Sequence, residues 1–480
     1  MSAAWEPVIG LEVHVQLGTA SKMFSPVPYR FGEEPNTLID PVVWALPGSL
    51  PVINEEAVAK TVQLGLLLGC EIAPVCKWDR KNYFYPDSPK NYQISQYDQP
   101  VCRHGSVEIE LAGPSRAEMG PHREVRLTRI HLEEDVGKLT HYGKDSGVDY
   151  NRAGTPLVEI VTEPDLHSAE EAYAFLTCLR RMLVHAGLSD CDMEKGQLRC
   201  DANISLRPAG SGKLGTKVEL KNLNSISGVR DGIAHEIRRQ QRELERGNAL
   251  RQETRRWDAE KGQTREMRGK EEAHDYRYFP DPDLLPVRIS EAWKAELAAT
   301  LPERPFDRQR RYLERLGLPY STATVLIGER EVADFFEACL TEGGDPVIAG
   351  NLVANDLLRE RRGSLAELPI GPAEVAELAG LLAHRTIAHA TARELLAEIV
   401  QTGGSPSALV RERGLEQRSD TGELEALCRE AIENSPKAVA QYREGNAKAI
   451  NAVKGQVMKA TGGKADPQVV NQLLERLLAD

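Results

Sequence analysis

The chain has 480 residues, of which 41% are hydrophobic and 28% charged, with a formal net charge of −12 at pH 7. That length exceeds one ordinary domain of roughly 100–200 residues, and the acidic balance excludes bulk non-specific binding to nucleic acid while leaving room for a local basic face that grips a shaped RNA. No apolar run approaches membrane-spanning length and the N-terminus lacks a basic-then-apolar signal layout, so a cytoplasmic protein with no membrane partner is expected.

In chain order, the first predicted element is a strand over residues 8–16. Ile9, Leu11, Val13 and Val15 alternate with Gly10, Glu12, His14 and Gln16, so Glu12 and His14 project from one side of a sheet. Residues 79–87 then pack Arg80 and Lys81, three aromatics and two acids before a Pro-containing turn, continued by Tyr92, Gln93, Gln96, Tyr97 and Asp98. This suggests a loop lining a cavity, although a surface turn with packed tyrosines fits the same residues. His131, Glu133, Glu134 and Asp135 follow, then Glu159, Glu163 and Asp165. Carboxylates and an imidazole on sheet faces suit a hard divalent cation such as Mg²⁺, which usually serves phosphate chemistry. A solvated polar face with surface acids accounts for the spacing at least as well.

Ser168-Ala-Glu-Glu171 is a capping-box pattern that opens a helix. Ala172, Phe175, Leu176, Leu179, Met182 and Leu183 recur at helical spacing, and Gly187 can close it. Next comes a predicted hairpin. Leu198, Cys200, Ala202, Ile204 and Leu206 alternate with Arg199, Asp201, Asn203, Ser205 and Arg207; after a Gly-rich turn, Val218 and Leu220 alternate with Lys217, Glu219 and Lys221. Its charged face reads either as solvated or as the floor of a site that holds a polyanion and its metal. Gly210-Ser-Gly212-Lys-Leu-Gly215 matches the dinucleotide fingerprint only formally, because no helix opens after it. No P-loop occurs, so any ATP binds on a sheet through metal and basic side chains. A second helix runs from near Ser225 toward Gly247 and carries Arg238, Arg239, Arg242 and Arg246.

From about residue 294 Leu/Ala/Glu/Arg segments replace strand alternation, and residues 402–407 read as a linker. The last helical unit interleaves Lys448, Lys454, Lys459 and Lys464 with small residues, has a turn over residues 462–467, and ends in a helix from Val469 to Leu478. Lysines on a helical pair can grip an RNA backbone, since phosphate contacts need charge rather than base reading; a solvated helix face is the plainer account. None of the eight cysteines is in CxxC spacing, and His104, His122, His141, His167 and His185 have no evident Ser or Cys partner. Reduced, mostly buried thiols are expected. The fold class is α+β: a catalytic body over residues 1–293 on mainly antiparallel sheet, an all-helical domain over 294–404, and a small helical tail over 405–480.

Taken together, the motifs resemble the B subunit of the aspartyl/glutamyl-tRNA(Asn/Gln) amidotransferases over nearly the whole chain. The resemblance lies in Ile9-Gly-Leu-Glu-Val-His14, Asp79-Arg-Lys-Asn-Tyr-Phe-Tyr-Pro-Asp87, His131-Leu-Glu-Glu-Asp-Val-Gly-Lys138 and Asn151-Arg-Ala-Gly-Thr-Pro-Leu157. It continues in Leu198-Arg-Cys-Asp-Ala-Asn-Ile-Ser-Leu-Arg207, Glu219-Leu-Lys-Asn-Leu-Asn224, Asp275-Tyr-Arg-Tyr-Phe-Pro-Asp-Pro-Asp283, Gly445-Asn-Ala-Lys-Ala449 and Gly455-Gln-Val-Met-Lys-Ala460. It implies a glutamine-synthetase-like cradle and a C-terminal tRNA-binding module. It also implies a heterotrimer with a glutaminase subunit and a small strap subunit, and the non-discriminating aminoacyl-tRNA synthetase as a further partner. Using ATP and Mg²⁺, the B subunit of the family phosphorylates the side-chain carboxylate of mischarged Asp-tRNA(Asn) or Glu-tRNA(Gln), and ammonia from the glutaminase subunit displaces the phosphate.

By the same resemblance the Mg²⁺ ligands fall on Glu12, His14, Glu134 and Glu159, with Glu133 as a neighbour that could substitute, and Lys81 lies near the phosphorylation site. Face geometry adds Arg199, Asp201, Asn203, Arg207, Lys217 and Lys221 as the charged floor. One departure is plain: many relatives hold zinc with Cys-x-Cys and Cys-x-x-Cys, where this chain has Ser25, Val27, Asp40 and Val43, so no structural zinc is expected. A stand-alone tRNA-binding protein with a degenerate catalytic sheet, or a ligase acting on a free amino acid, are the competing readings. The first would lack acidic ligands and the second would have no use for the tail.

Overall fold

The computed structural model describes residues 5–267, 276–417, 421–461, 465 and 467–479. Asp275, Lys464 and most of the expected turn over 462–467 lie outside them. The chain divides into two compact units, Met1–Pro305 and Phe306–Asp480.

The first unit is built on one large sheet. Its central strand β1 (Trp5–Gln16) buries Ile9, Leu11, Val13 and Val15 and turns Glu12 and His14 to the other side, as the alternation requires. The elements that matter for the site are, in chain order, α1 (Glu55–Leu67), β2 (Asp79–Asn82), β3 (Tyr92–Ser95), β4 (His122–Glu134), β5 (Pro156–Thr162) and α2 (Ala169–His185). Then come β6 (Leu198–Pro208), β7 (Val218–Leu223), α3 (Ile226–Glu245), β8 (Glu253–Asp258) and β9 (Gln263–Glu266). The sheet order is β9-β8-β7-β6-β1-β5-β4, continued by the short strands Cys102–Arg103 and Glu71–Ile72. Every pairing is antiparallel except β7 with β8, which α3 connects as a crossover. β2 and β3 form a separate small sheet with Phe279–Pro280.

Both expected helices form for the reasons their sequences give. Ser168 accepts the Glu171 N–H at the start of α2, and Ser225 accepts the Gly228 N–H at the start of α3. Just past their ends Gly187 and Gly247 take φ of +67° and +79°, a left-handed turn that a side chain would strain. α3 lies on the apolar face of the hairpin. There the fully buried Glu236 accepts from Arg239, Gln240 and Thr264, while Gln240 also donates to the Ile204 carbonyl. One face of the sheet is thereby closed, and the Glu12/His14 face carries the polar groups. The Gly210–Gly215 stretch is the β6–β7 hairpin connection, with no helix at its end.

The second unit is all helical. Tyr312, Phe336, Val353, Leu378 and Leu396 are buried in its first part. Leu424, Cys428, Val453, Val457, Val470 and Leu474 form a separate core among Thr421–Glu433, Ile450–Ala460 and Pro467–Ala479. Residues 402–407, read as a linker, are instead a tight turn between helices. Gly403 and Gly404 take φ of +70° and +120°, and Ser405 caps the helix Pro406–Arg413. That helix packs on Pro372–Ala383 and His389–Thr402, and Arg413 forms a two-pronged ion pair with Glu398. The glycines serve a sharp reversal, not slack.

Candidate active site

Strand register places the site. His14 on β1 faces Glu159 on β5 and Arg199 on β6, and Glu159 in turn faces His131 on β4, so four polar side chains form a row across four strands. His14 Nε2 lies 3.3 Å from Glu159 Oε2, and His131 Nε2 lies 3.6 Å from the same oxygen. Glu12, two residues before His14, and Glu133, two after His131, extend the row on the same face, at 3.7 Å from His14 and His131 respectively. Two donor sets result, Glu12/His14/Glu159 and His131/Glu133/Glu159, each with its ligand atoms within 4.8 Å of one another and both sharing Glu159. Carboxylate oxygens with imidazole nitrogens form a donor set that can hold a divalent cation.

The electrostatics separate these acids. Burial opposes ionisation of Glu159, but the His131 and His14 imidazoles and the Lys81 ammonium outweigh it and hold its pKa well below the ordinary range. Glu133 is likewise lowered against burial, chiefly by Lys81 and His131. Glu12 is raised by its own burial and by the Glu159 charge, and His14 is raised against burial by Glu159 and Glu133. Lys81 on β2 completes the ring. Burial disfavours its charge, yet Glu133, Tyr278 and Glu159 raise its pKa, and its Nζ sits 5.1 Å from the centre of the Tyr276 ring.

The next rows are mixed in sign. Glu12 faces Asp201, which accepts a hydrogen bond from Lys221; Lys221 also lies 3.2 Å from Glu219 and faces Arg256 on β8. Arg199 donates to Asp135 at 2.8 Å, and its Nε is buried without a hydrogen-bond partner. Asn203, opposite Gly10, leaves its buried Oδ1 unpartnered as well. Unmet hydrogen-bonding capacity on a charged face is what a polar ligand would satisfy. Arg207 stands apart: six residues beyond Asp201, roughly 20 Å along the strand, it forms a two-pronged ion pair with Glu6. Lys217 is exposed just before β7.

The structure does not bring Glu134 to the cluster. Neighbours on a strand point to opposite sides, so Glu133 joins His131 while Glu134 takes the Ile94 N–H at 2.9 Å and the Lys90 ammonium at 2.5 Å. His131 is not among the ligands that the resemblance implies, although its i, i+2 spacing to Glu133 against Ile130 and Leu132 carried the signal. The loop after Lys81 does line a cavity, of about 580 Å³, with Tyr83, Phe84, Tyr85, Tyr276 and Arg277 among its walls. At the positions where the resemblance would put a cysteine tetrad that this chain lacks, Ser25 Oγ donates to Asp40 Oδ2 at 2.8 Å and accepts the Val27 N–H, while Asp40 Oδ1 accepts the Val43 N–H at 2.8 Å. All eight cysteines are free and seven are buried.

Residues 7–295 match a family model described as the GatB/GatE catalytic domain, and residues 334–478 match one described as the GatB domain. The chain is 59% identical to the B subunit of the aspartyl/glutamyl-tRNA(Asn/Gln) amidotransferase of Opitutus terrae, over 99% of both chains. Proteins of the same name from Caldanaerobacter subterraneus and Methylacidiphilum infernorum are each 48% identical to it, again over 99% of both chains. At that identity and coverage, the chain belongs to the family of B subunits of the aspartyl/glutamyl-tRNA(Asn/Gln) amidotransferases.

Proposed function

We propose that this chain is the ATP-dependent subunit of a tRNA-dependent amidotransferase, a glutamine-dependent ligase that forms Asn-tRNA(Asn) or Gln-tRNA(Gln). The observation that carries this reading is the 59% identity with a protein of that name across 99% of both chains. The side-chain carboxylate of the mischarged aminoacyl-tRNA attacks the γ-phosphorus of ATP and ADP departs. Ammonia then attacks the acyl carbon, phosphate leaves and a proton is lost. A carboxylate is a poor electrophile, and the acyl phosphate supplies its leaving group.

Glu12, His14, His131, Glu133 and Glu159 would hold Mg²⁺, with Glu133 in place of Glu134. When bound, the ion supplies electrostatic stabilisation of the transferring phosphoryl group. Lys81 is placed to draw in the substrate carboxylate. Arg199 and Lys221, each already anchored to an aspartate, offer N–H donors to phosphate oxygens without having to reorganise; Asp201 and Asn203 orient them and the nucleotide. Arg207 and Lys217 lie outside this set. The nitrogen comes from the glutaminase partner, with the small strap subunit completing the assembly. The chain's own thiols are poor nucleophiles, since burial pushes Cys70 up to about 12 and Cys76 and Cys191 up to about 11.

The test is reconstitution with the glutaminase and strap subunits and a thin-layer assay of both mischarged tRNAs. Amide formation should require ATP, glutamine and all three subunits, and the isolated chain should give none from glutamine. Efficient use of glutamine by the chain alone would overturn the division of labour.

We also infer that the N-terminal lobe closes without zinc, through the Ser25–Asp40 hydrogen bond and the Lys22 ammonium, which donates to the Leu38 carbonyl at 2.7 Å. Asp40→Ala removes two hydrogen bonds and should cost about 1–3 kcal/mol, read as a lowered Tm. Extensive chelation should leave the wild-type Tm unchanged. A Tm that falls on chelation and recovers with zinc would contradict this.

A further inference from the structure

The cavity beside Lys81 has a shape and chemistry that metal and phosphate do not use. Its volume of about 580 Å³ is in the range of small-molecule sites. Tyr83, Phe84, Tyr85 and Tyr276 contribute aromatic rings to it, and Arg277 stands exposed at its edge. Phe84 is 86% exposed and Tyr85 52% exposed, so two apolar rings are left in water where the loop could have turned them inward. The far wall is fixed. Asn82 donates its backbone N–H to the Tyr276 carbonyl at 2.9 Å and its side-chain amide to the Arg277 carbonyl at 2.9 Å. Tyr276 lies edge-on to Tyr278 at 6.0 Å, and Tyr278 stacks on Tyr97 at 4.5 Å with 14° between planes. The cavity is therefore walled by pre-ordered aromatic surface, and Lys81, whose charge is held by Glu133 and Glu159, is common to it and to the carboxylate cluster.

We propose that this cavity takes the 3′-terminal adenosine of the aminoacylated RNA, its base stacked against the aromatic rings and Arg277 beside the phosphodiester that precedes it. The inference rests on the phosphorylation reading given above. In an aminoacyl-tRNA the amino acid is esterified to the ribose of that terminal adenosine. A handful of covalent bonds of about 1.5 Å separate the ribose from the side-chain carboxyl, so the adenosine must lodge in a concavity adjoining the cluster. An adenine also occurs in ATP. There the ribose and the α- and β-phosphates stand between it and the reacting γ-phosphorus, a slightly longer covalent path than the one from the terminal adenine to the side-chain carboxyl. Splayed bases of single-stranded RNA ends are held in general by stacking on such rings.

The test compares Phe84→Ala with Phe84→Trp in the reconstituted complex. Phe84 is an exposed ring on the rim, so its truncation should leave the fold in place. Phe84→Ala should raise the KM for mischarged tRNA roughly tenfold, the scale of one lost base stack, with the KM for ATP and kcat unchanged. Phe84→Trp should restore the wild-type value. In a competition arm, uncharged tRNA with a complete 3′ end should displace labelled tRNA better than the same tRNA trimmed of its terminal adenosine, and Phe84→Ala should erase the difference. The competition reads binding alone, so it answers even if the wild-type complex fails to amidate, a failure that would strike the catalytic reading instead. A raised KM for ATP with tRNA unaffected would give the cavity to the nucleotide and overturn the proposal. Equal displacement by complete and trimmed tRNA in the wild type would overturn it as well.

Discussion

Glu159→Gln is expected to lower ATP-dependent amidation by roughly a thousandfold or more while leaving tRNA affinity within about twofold. Losing a single preorganised electrostatic contact to a phosphoryl or acyl transition state costs on the order of 10²–10³ in kcat, and Glu159 serves two donor sets at once. The substitution is nearly isosteric, so the space the side chain fills is kept. What changes is charge. The two imidazoles that approach Glu159 at 3.3 and 3.6 Å lose their anion, and Lys81 loses one of the two carboxylates that hold its ammonium. The amide that replaces the carboxylate does not titrate, so the variant's defect should not be rescued by raising the pH. Single-turnover phosphate release and filter binding of mischarged tRNA separate the two effects. Wild-type amidation in the variant would remove the cluster from the mechanism. The contrast is Glu134→Gln, which should act on the Lys90 and Ile94 contacts and therefore on stability more than on kcat.

That contrast shows where the sequence was legible and where it was not. β1 could be read directly, because its buried and polar residues alternate strictly and only one phase hides Ile9, Leu11 and Val13. The ends of α2 and α3 were equally plain, since each has a serine at one end and a glycine past the other, and α2 carries an apolar period between them. At β4 the same rule loses contrast: Ile130, His131, Leu132, Glu133 and Glu134 are all buried, so exposure does not mark the inner face, and the run of two glutamates blurs where the alternation ends. The alternation of Ile130 and Leu132 with His131 and Glu133 puts Glu133 on the face of Glu12 and His14, whereas the resemblance implies Glu134, its neighbour on the other face. The glycine pair at 403–404 misled for a different reason. Composition cannot distinguish a slack linker from a reversal that needs positive φ at consecutive positions. The unpartnered Arg199 Nε and Asn203 Oδ1 were beyond the sequence altogether, because they depend on which neighbours occupy adjacent strands.

Deleting residues 421–480 is expected to raise the KM for mischarged tRNA about tenfold or more and to flatten the salt dependence of tRNA binding. The argument begins with packing. The last helices bury Leu424, Cys428, Val453, Val457, Val470 and Leu474 among themselves, so they make a core of their own. Charge comes next. Ile450–Ala460 carries a half-buried Lys454 and an exposed Lys459, and Lys448 is exposed just ahead of it. Each phosphate contact these lysines make releases counterions, with a slope of about 0.9 per phosphate, so losing two or three contacts should reduce the salt slope by roughly two to three. The carboxylate cluster lies wholly within the first unit, so a minimal substrate that carries only the acceptor end should still be phosphorylated. Glutaminase activity of the complex without tRNA should persist, because no residue of the deleted segment belongs to that chemistry. Affinity measured at matched salt decides the matter. A truncated complex that binds tRNA as tightly as the full one, with the same salt slope, would show that the tail's lysines are merely a solvated helix face.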